Sequence, residues 1–298
     1  MDSNFKFNLP ESVRNRLKVI PSLPSLNTIQ GALRELMDAE EKSTFRLVSI
    51  LRKDPSLAAR LLQSVNSPAY GLAERVNSLE DAVIQVGAQS LRTLVLMAPV
   101  VSDLKTLAGP TAASWRDLWK HSVSVALLTQ DILVGAGGAE GDLDYVAGLL
   151  HDVGWILIRS AFPLQYTEIA RRIAAGEGLP QEIELSVLGV SHSILGAWYL
   201  SEQKLDPVLC LAALHHECPT SSFGSERNVA AVHIADQFAL SLNRGHAGEV
   251  KRVKPDGWKE SVGWDILFGD ATQSGRRFAQ RRLEISSARL MAIADTVI

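Results

Sequence analysis

Cysteine is nearly absent: Cys210 and Cys218 are the only two in 298 residues, and they follow no C-x-x-C spacing. That rules out a disulfide-framed fold and fits a reducing, cytoplasmic setting. Long apolar runs are missing too. The most apolar stretch, Leu94 to Val101, is eight residues with Pro99 inside it, against the ~20 a membrane span needs. The opening Met-Asp-Ser-Asn-Phe-Lys-Phe has no signal-peptide core. Neither charge sign dominates: 30 Lys and Arg against 33 Asp and Glu leave a net charge of -3. No overall field draws the chain to nucleic acid or an anionic membrane. Clean period-2 alternation between hairpin turns is lacking, and so is any internal repeat.

What remains reads as helix. Hydrophobic residues make up 46% of the chain, enough to bury a continuous core in one large or two modest domains. Asp54-Pro55 is a helix start, and Leu57, Ala58, Leu61, Leu62 and Val65 form one apolar stripe behind it. Asn66-Ser67-Pro68 ends that helix. Ser78 with Asp81 makes a capping box ahead of Leu79, Ala82, Val83 and Val86, with Gly87 at the C-terminal position. Ser90 opens a further helix toward Leu104. Helices are expected over 115–134, 143–160, 165–175, 181–188, 192–201, 207–216 and 228–242. The fold class is all-α.

Gly109-Pro110 is the best internal boundary. It divides an N-terminal helical subdomain, 1–108, from a helical domain, 109–245, which a C-terminal extension, 246–298, follows. The extension carries Trp258 and Trp264, candidates for a homodimer or partner contact or for packing on the main domain. It also carries Arg276, Arg277, Arg281 and Arg282, which span adjacent helix faces diluted by Glu284. They read as a solvated surface, and a nucleic-acid partner is not expected.

The chemistry lies in the middle segment. His151-Asp152, in Ala-Gly-Leu-Leu-His-Asp-Val-Gly, sets a nitrogen and an oxygen donor about 100° apart on a helix. His121 lies upstream, and His192, His215, His216 and Asp236 lie downstream, all in or at the ends of helical patterns. Asp236 sits in a strongly apolar helix, where an unpaired carboxylate is costly. Imidazoles with carboxylates suit one or two ions of Fe, Mn, Zn, Ni or Co. Such ions would acidify water and polarise a phosphoryl oxygen, with Asp152 bridging a pair of them. A lone helical histidine is more often structural than a ligand, and His233 and His246 are read that way. The seven donors together are harder to dismiss.

The order of these donors resembles the HD superfamily, in which a histidine, a His-Asp pair and a later aspartate stand on a helical bundle. The likeness to the HDOD proteins, the HD-related output domain of bacterial signalling, is closer and runs from about Leu23 to Leu242. It is carried by Leu23-Pro-Ser-Leu26, Asp54-Pro-Ser-Leu57, Asn66-Ser-Pro68 and Ser78-Leu-Glu-Asp-Ala-Val-Ile-Gln-Val-Gly87. Leu118-Trp-Lys-His-Ser122, Ala147 to Gly154, Gly189-Val-Ser-His-Ser-Ile-Leu-Gly196 and Leu214-His-His-Glu217 complete it. The resemblance implies a helical signalling module without an established general activity. The related HD-GYP phosphodiesterases hydrolyse cyclic di-GMP at a centre of two or three metals, and their ligand types match the same seven residues here. A further acidic ligand of theirs would fall on Asp117, which by itself reads as a solvated surface acid.

Two departures weigh against hydrolysis. HD-GYP enzymes follow His-Asp with two residues and a phosphate-contacting lysine, and here that place is Trp155. Their Gly-Tyr-Pro element is replaced by Glu217-Cys-Pro-Thr-Ser-Ser-Phe. The expectation is therefore a non-catalytic regulatory module, binding a signalling protein or a small nucleotide-like ligand, with a preserved or vestigial metal site. The alternative is a metal-dependent phosphohydrolase acting on a nucleotide or cyclic nucleotide. No receiver, kinase or cyclase pattern occurs in the chain, so the input is expected from a separate molecule or from ligand binding.

Overall fold

The computed structural model describes residues 7–18, 62, 65, 66, 72, 74–86, 112–138, 141–221, 226–246 and 254–293. Among them there is no strand, as the missing period-2 pattern requires. The helices expected around Leu57 and after Ser90 lie outside the described residues, apart from Leu62, Val65 and Asn66. By internal contacts the chain divides into two compact units. One joins Met1–Ser22 to Lys105–Ser286, and the other joins Leu23–Leu104 to Ser287–Ile298. The first unit thus draws on all three segments expected from sequence.

In the second unit, Asn66 clamps the chain. Its amide donates to the Leu62 and Val76 carbonyls at 2.7 Å each, and its Oδ1 accepts from Val76 N–H at 2.7 Å. Leu79–Val86 follows as a helix. Half of its capping box forms: Ser78 Oγ accepts from Asp81 N–H at 3.0 Å, while the Asp81 carboxylate accepts from the Ser78 hydroxyl, at 2.6 Å, in place of the Ser78 backbone N–H.

In the first unit the described helices are α1 (Glu11–Leu17), α2 (Ala112–Gly135), α3 (Asp142–Leu150), α4 (Val153–Ala161), α5 (Pro163–Ala174) and α6 (Pro180–Leu188). They continue as α7 (His192–Glu202), α8 (Pro207–His215), α9 (Glu226–Ser241), α10 (Val262–Phe268) and α11 (Gln273–Ile293), of which the residues through Ser286 belong to this unit. Helix α9 is the centre of the packing, lying against α2, α3, α8 and α10. Its residues Val229 to Asp236 are buried without interruption. A helix apolar on every side is a core helix.

One expected helix is two. The run expected over 143–160 breaks at the His-Asp pair, between α3 and α4. His151 is still helical, but Asp152 sits at φ -103, ψ 15, outside the helical region. Beyond the break α4 crosses α7 where glycine meets glycine. A Cβ on Gly154 would lie 1.9 Å from the His192 carbonyl oxygen, and one on Gly196 would lie 3.1 Å from Gly154 N. The missing side chains let the two site-bearing segments touch backbone to backbone.

The C-terminal segment packs on this unit. Trp258 and Trp264 are buried, ring to ring at 5.2 Å, with Phe238 of α9 4.9 Å from Trp258. Helix α11 is pinned to α2 through Asp131, which accepts from Arg282 at 2.9 Å and from Ser286 Oγ. Arg276 donates to the Gly269 carbonyl, so two of the four clustered arginines are spent on structure, while Arg277 and Arg281 are exposed. Among the described residues no single helix is long and apolar enough to cross a membrane. Only α6 and α7 together, bent by 71°, reach the required length and apolarity, and that pair carries buried Glu184 and His192.

Candidate metal centre

Six of the seven expected donors meet. His121 comes from α2, His151 and Asp152 from the α3–α4 break, His192 from the start of α7, His216 from the end of α8 and Asp236 from α9. All are buried. His121, His151 and Asp152 offer ligand atoms close enough to share one ion, and so do Asp152, His192 and His216. Asp152 belongs to both groups and divides its oxygens between them. Its Oδ2 lies 3.6 Å from His121 Nε2 and 3.4 Å from His151 Nε2. Its Oδ1 lies 3.6 Å from His192 Nε2 and 3.5 Å from His216 Nε2. Asp236 Oδ1 stands 3.3 Å from His121 Nε2, on the first group.

The far nitrogen of each imidazole shows why the near one is available. His121 Nδ1 bonds to the Arg244 carbonyl at 2.7 Å, His151 Nδ1 to that of Gly148 at 2.8 Å and His216 Nδ1 to that of Ala213 at 3.0 Å. A carbonyl only accepts, so each Nδ1 carries a proton, and in its neutral form each ring turns a lone pair inward from Nε2. His192 Nδ1 is held instead by the carboxylate of Glu184, at 2.9 Å. Glu184 also accepts the His192 backbone N–H at 2.6 Å, the donor that starts α7.

Facing lone pairs do not bond to each other. His121 Nε2 and His151 Nε2 stand 3.3 Å apart, and His192 Nε2 and His216 Nε2 stand 3.5 Å apart. Buried Asp152 Oδ1 has no hydrogen bond. A cation between the paired nitrogens satisfies all of these atoms at once, so the donor set fits one or two divalent ions. Without an ion, protons must do the same work. Burial disfavours a charged His192, but Glu184, with Glu217 and Asp152, overrides it and raises the pKa to about 10. His216 moves the other way, down to about 4, because burial and neighbouring His151 both oppose a second charge. Burial would raise Asp152, yet His151 and His246 hold it well below its usual value.

His215 and His246 depart from the sequence reading, and Asp117 keeps that of a solvated surface acid. His215, the last residue of α8, is half-buried and belongs to neither group. Adjacent helical residues point about 100° apart, so only one of a His-His pair faces inward. Asp117 is exposed. His246, read as structural, is buried in the centre with its Nε2 3.1 Å from Asp152 Oδ2. His233 does have a structural bond, from Nδ1 to the His216 carbonyl at 2.6 Å. Glu184 was missed altogether. Its one sequence signal is an acid between Ile183 and Leu185, eight positions before His192.

Trp155 closes the other side. It is buried, and its ring is stacked on that of His192 at 4.9 Å and 20° and edge-on to Tyr166 at 6.3 Å.

The fold recurs in solved structures. An HDOD domain protein of unknown function from Geobacter sulfurreducens superposes with a TM-score of 0.79 at 24% identity, over 96% of this chain and 97% of that one. A protein from Shewanella amazonensis, provisionally named a phosphohydrolase, gives 0.70 at 21%, over 97% and 98%. A provisionally named signal transduction protein from Marinobacter aquaeolei gives 0.68 at 20%, over 99% and 68%. At these identities the likeness shows the fold. An uncharacterized protein of Treponema pallidum is 28% identical over 220 residues, 71% of this chain but 40% of that protein's length. The HDOD domain profile matches residues 23–219, more than half of the chain, and the chain belongs to the HDOD family.

Proposed function

We propose that this protein is a regulatory HDOD module of bacterial signalling, working by binding a protein partner or a small nucleotide-like ligand and not by turnover. Its His/Asp centre holds one or two divalent transition-metal ions. Such an ion supplies Lewis acidity toward phosphoryl oxygen when bound. The chain's own groups do the rest: the Gly148, Ala213 and Arg244 carbonyls and Glu184 keep the four imidazoles in the ligand tautomer, and Asp152 gives one oxygen to each pair.

The observation that carries the non-catalytic reading is Trp155. Phosphate recognition calls for a cation with several donors beside the metal ligands. Here an uncharged, buried indole lies flat on His192 instead. The second reading, a metal-dependent phosphohydrolase of nucleotides or cyclic nucleotides, is favoured by the completeness of the donor set.

Turnover separates the two. Protein saturated in turn with Mn, Fe, Co, Ni or Zn is assayed on nucleotides and cyclic dinucleotides beside Asp152→Ala. The regulatory reading expects no metal-dependent turnover above that of the variant. Turnover that Asp152→Ala abolishes would establish the hydrolase instead.

A further inference from the structure

The chain leaving α9 touches the centre twice within three residues. Asn243 is left-handed, at φ 57. Arg244 N–H bonds back to Ala239 O and Asn243 N–H to Leu240 O, at 3.0 Å each. This helix ending reverses the chain. The Arg244 carbonyl then accepts from His121 Nδ1 at 2.7 Å, and His246 Nε2 meets Asp152 Oδ2 at 3.1 Å. The His246 ring is wedged edge-on between His121 and Trp155, with centroids 5.6 Å away in both cases.

Asp152 needs a fixed orientation. The torsion that turns a carboxylate is broad, so covalent geometry alone does not keep one oxygen on each histidine pair. In the ligand tautomer the Nε2 atoms of His121, His151, His192 and His216 present lone pairs and have no proton to offer Asp152. Ionised Asp152 only accepts, so the short contact makes His246 Nε2 a donor. It is also the shortest of the imidazole contacts to this carboxylate, against 3.4–3.6 Å for the others.

We propose that His246 is a positioning residue of the metal centre: its Nε2–H holds Asp152 in the orientation that serves both histidine pairs. The same contact ties the segment after α9 to the centre. This role rests on the reading that the centre holds metal.

The test uses the full chain stripped of metal. Zn(II) affinity is measured in competition with a chromophoric chelator, and the visible spectrum of the Co(II)-loaded protein is recorded. His246→Ala is expected to weaken binding by about 10- to 100-fold, the usual effect of removing a partner that orients a ligand, and to shift the Co(II) bands. His246→Gln, whose amide still donates, is expected to recover most of the affinity and the wild-type spectrum. Unchanged affinity and spectrum in His246→Ala overturn the role, and so does a loss that His246→Gln fails to restore. Should His246→Ala not fold, His246→Asn, with its shorter amide, takes its place and must show the loss. If the wild type takes up neither ion, the metal reading itself falls. Wild-type uptake with an indifferent His246→Ala overturns the role of His246 alone.

Discussion

At the residue scale, protons and metal compete for the same nitrogens. With a pKa raised to about 10, metal-free His192 is charged at neutral pH, and an ion must displace its proton. Affinity at the position shared by His192 and His216 is therefore predicted to rise as pH rises toward 10, by about tenfold per unit where one proton is released. Calorimetric titration in buffers of different ionisation enthalpy reads that proton directly. Metal-free stability runs the opposite way. The folded pKa lies above the unfolded value of about 6.5, so the contribution of His192 is full below that value. It is lost as pH climbs through about 10. Trp155 has a separate consequence. Trp155→Ala is predicted to cost about 3–5 kcal/mol through the cavity it leaves. It is also predicted to speed removal of bound ion by a chelator, because the face of His192 is uncovered. Stopped-flow metal release checks the second effect.

At the element scale, the glycine contact between α4 and α7 decides whether the donors meet. Gly154→Ala drives a methyl group into the His192 carbonyl, 1.9 Å away, so the helices must separate. A loss of about 3 kcal/mol and weaker metal binding are predicted together, read by urea unfolding and chelator competition. The helices from α2 to α9 were legible through periodic apolar faces, with Pro163, Pro180 and Pro207 at first helical positions, whereas α1 and α10 were not among those expected. The break at Asp152 was not legible, since neither His151 nor Asp152 is a proline or glycine and apolar residues continue on both sides. His246 was hidden for the converse reason. It lies in a polar stretch without periodicity, and its contact with Asp152 spans 94 positions that only the fold brings together. Asn243, a residue that tolerates the left-handed conformation, and Gly245 are the local hints that the chain turns back there.

At the scale of the whole molecule, the centre is a staple. Helices α2, α3, α7, α8 and α9 each contribute a donor or end at one, so an ion held by them binds the folded chain and not the unfolded one. Stabilisation is then set by mass action, about 2.7 kcal/mol at a free-ion concentration 100 times the Kd. A rise in Tm with added metal, absent in Asp152→Ala, is the expected result of differential scanning fluorimetry. Membership of the HDOD family and a fold shared with proteins provisionally named for signalling and for phosphohydrolysis leave the chemistry to the site itself. There the paired imidazoles and the shared carboxylate are the groups the proposed ion would occupy, and the indole on His192 is what the proposed non-catalytic role rests on. The most direct measurement is the metal content per chain, by inductively coupled plasma mass spectrometry, after saturation and gel filtration. The account predicts one to two transition-metal ions on the wild type and almost none on Asp152→Ala. A wild type that emerges metal-free, or a variant as loaded as the wild type, would contradict it.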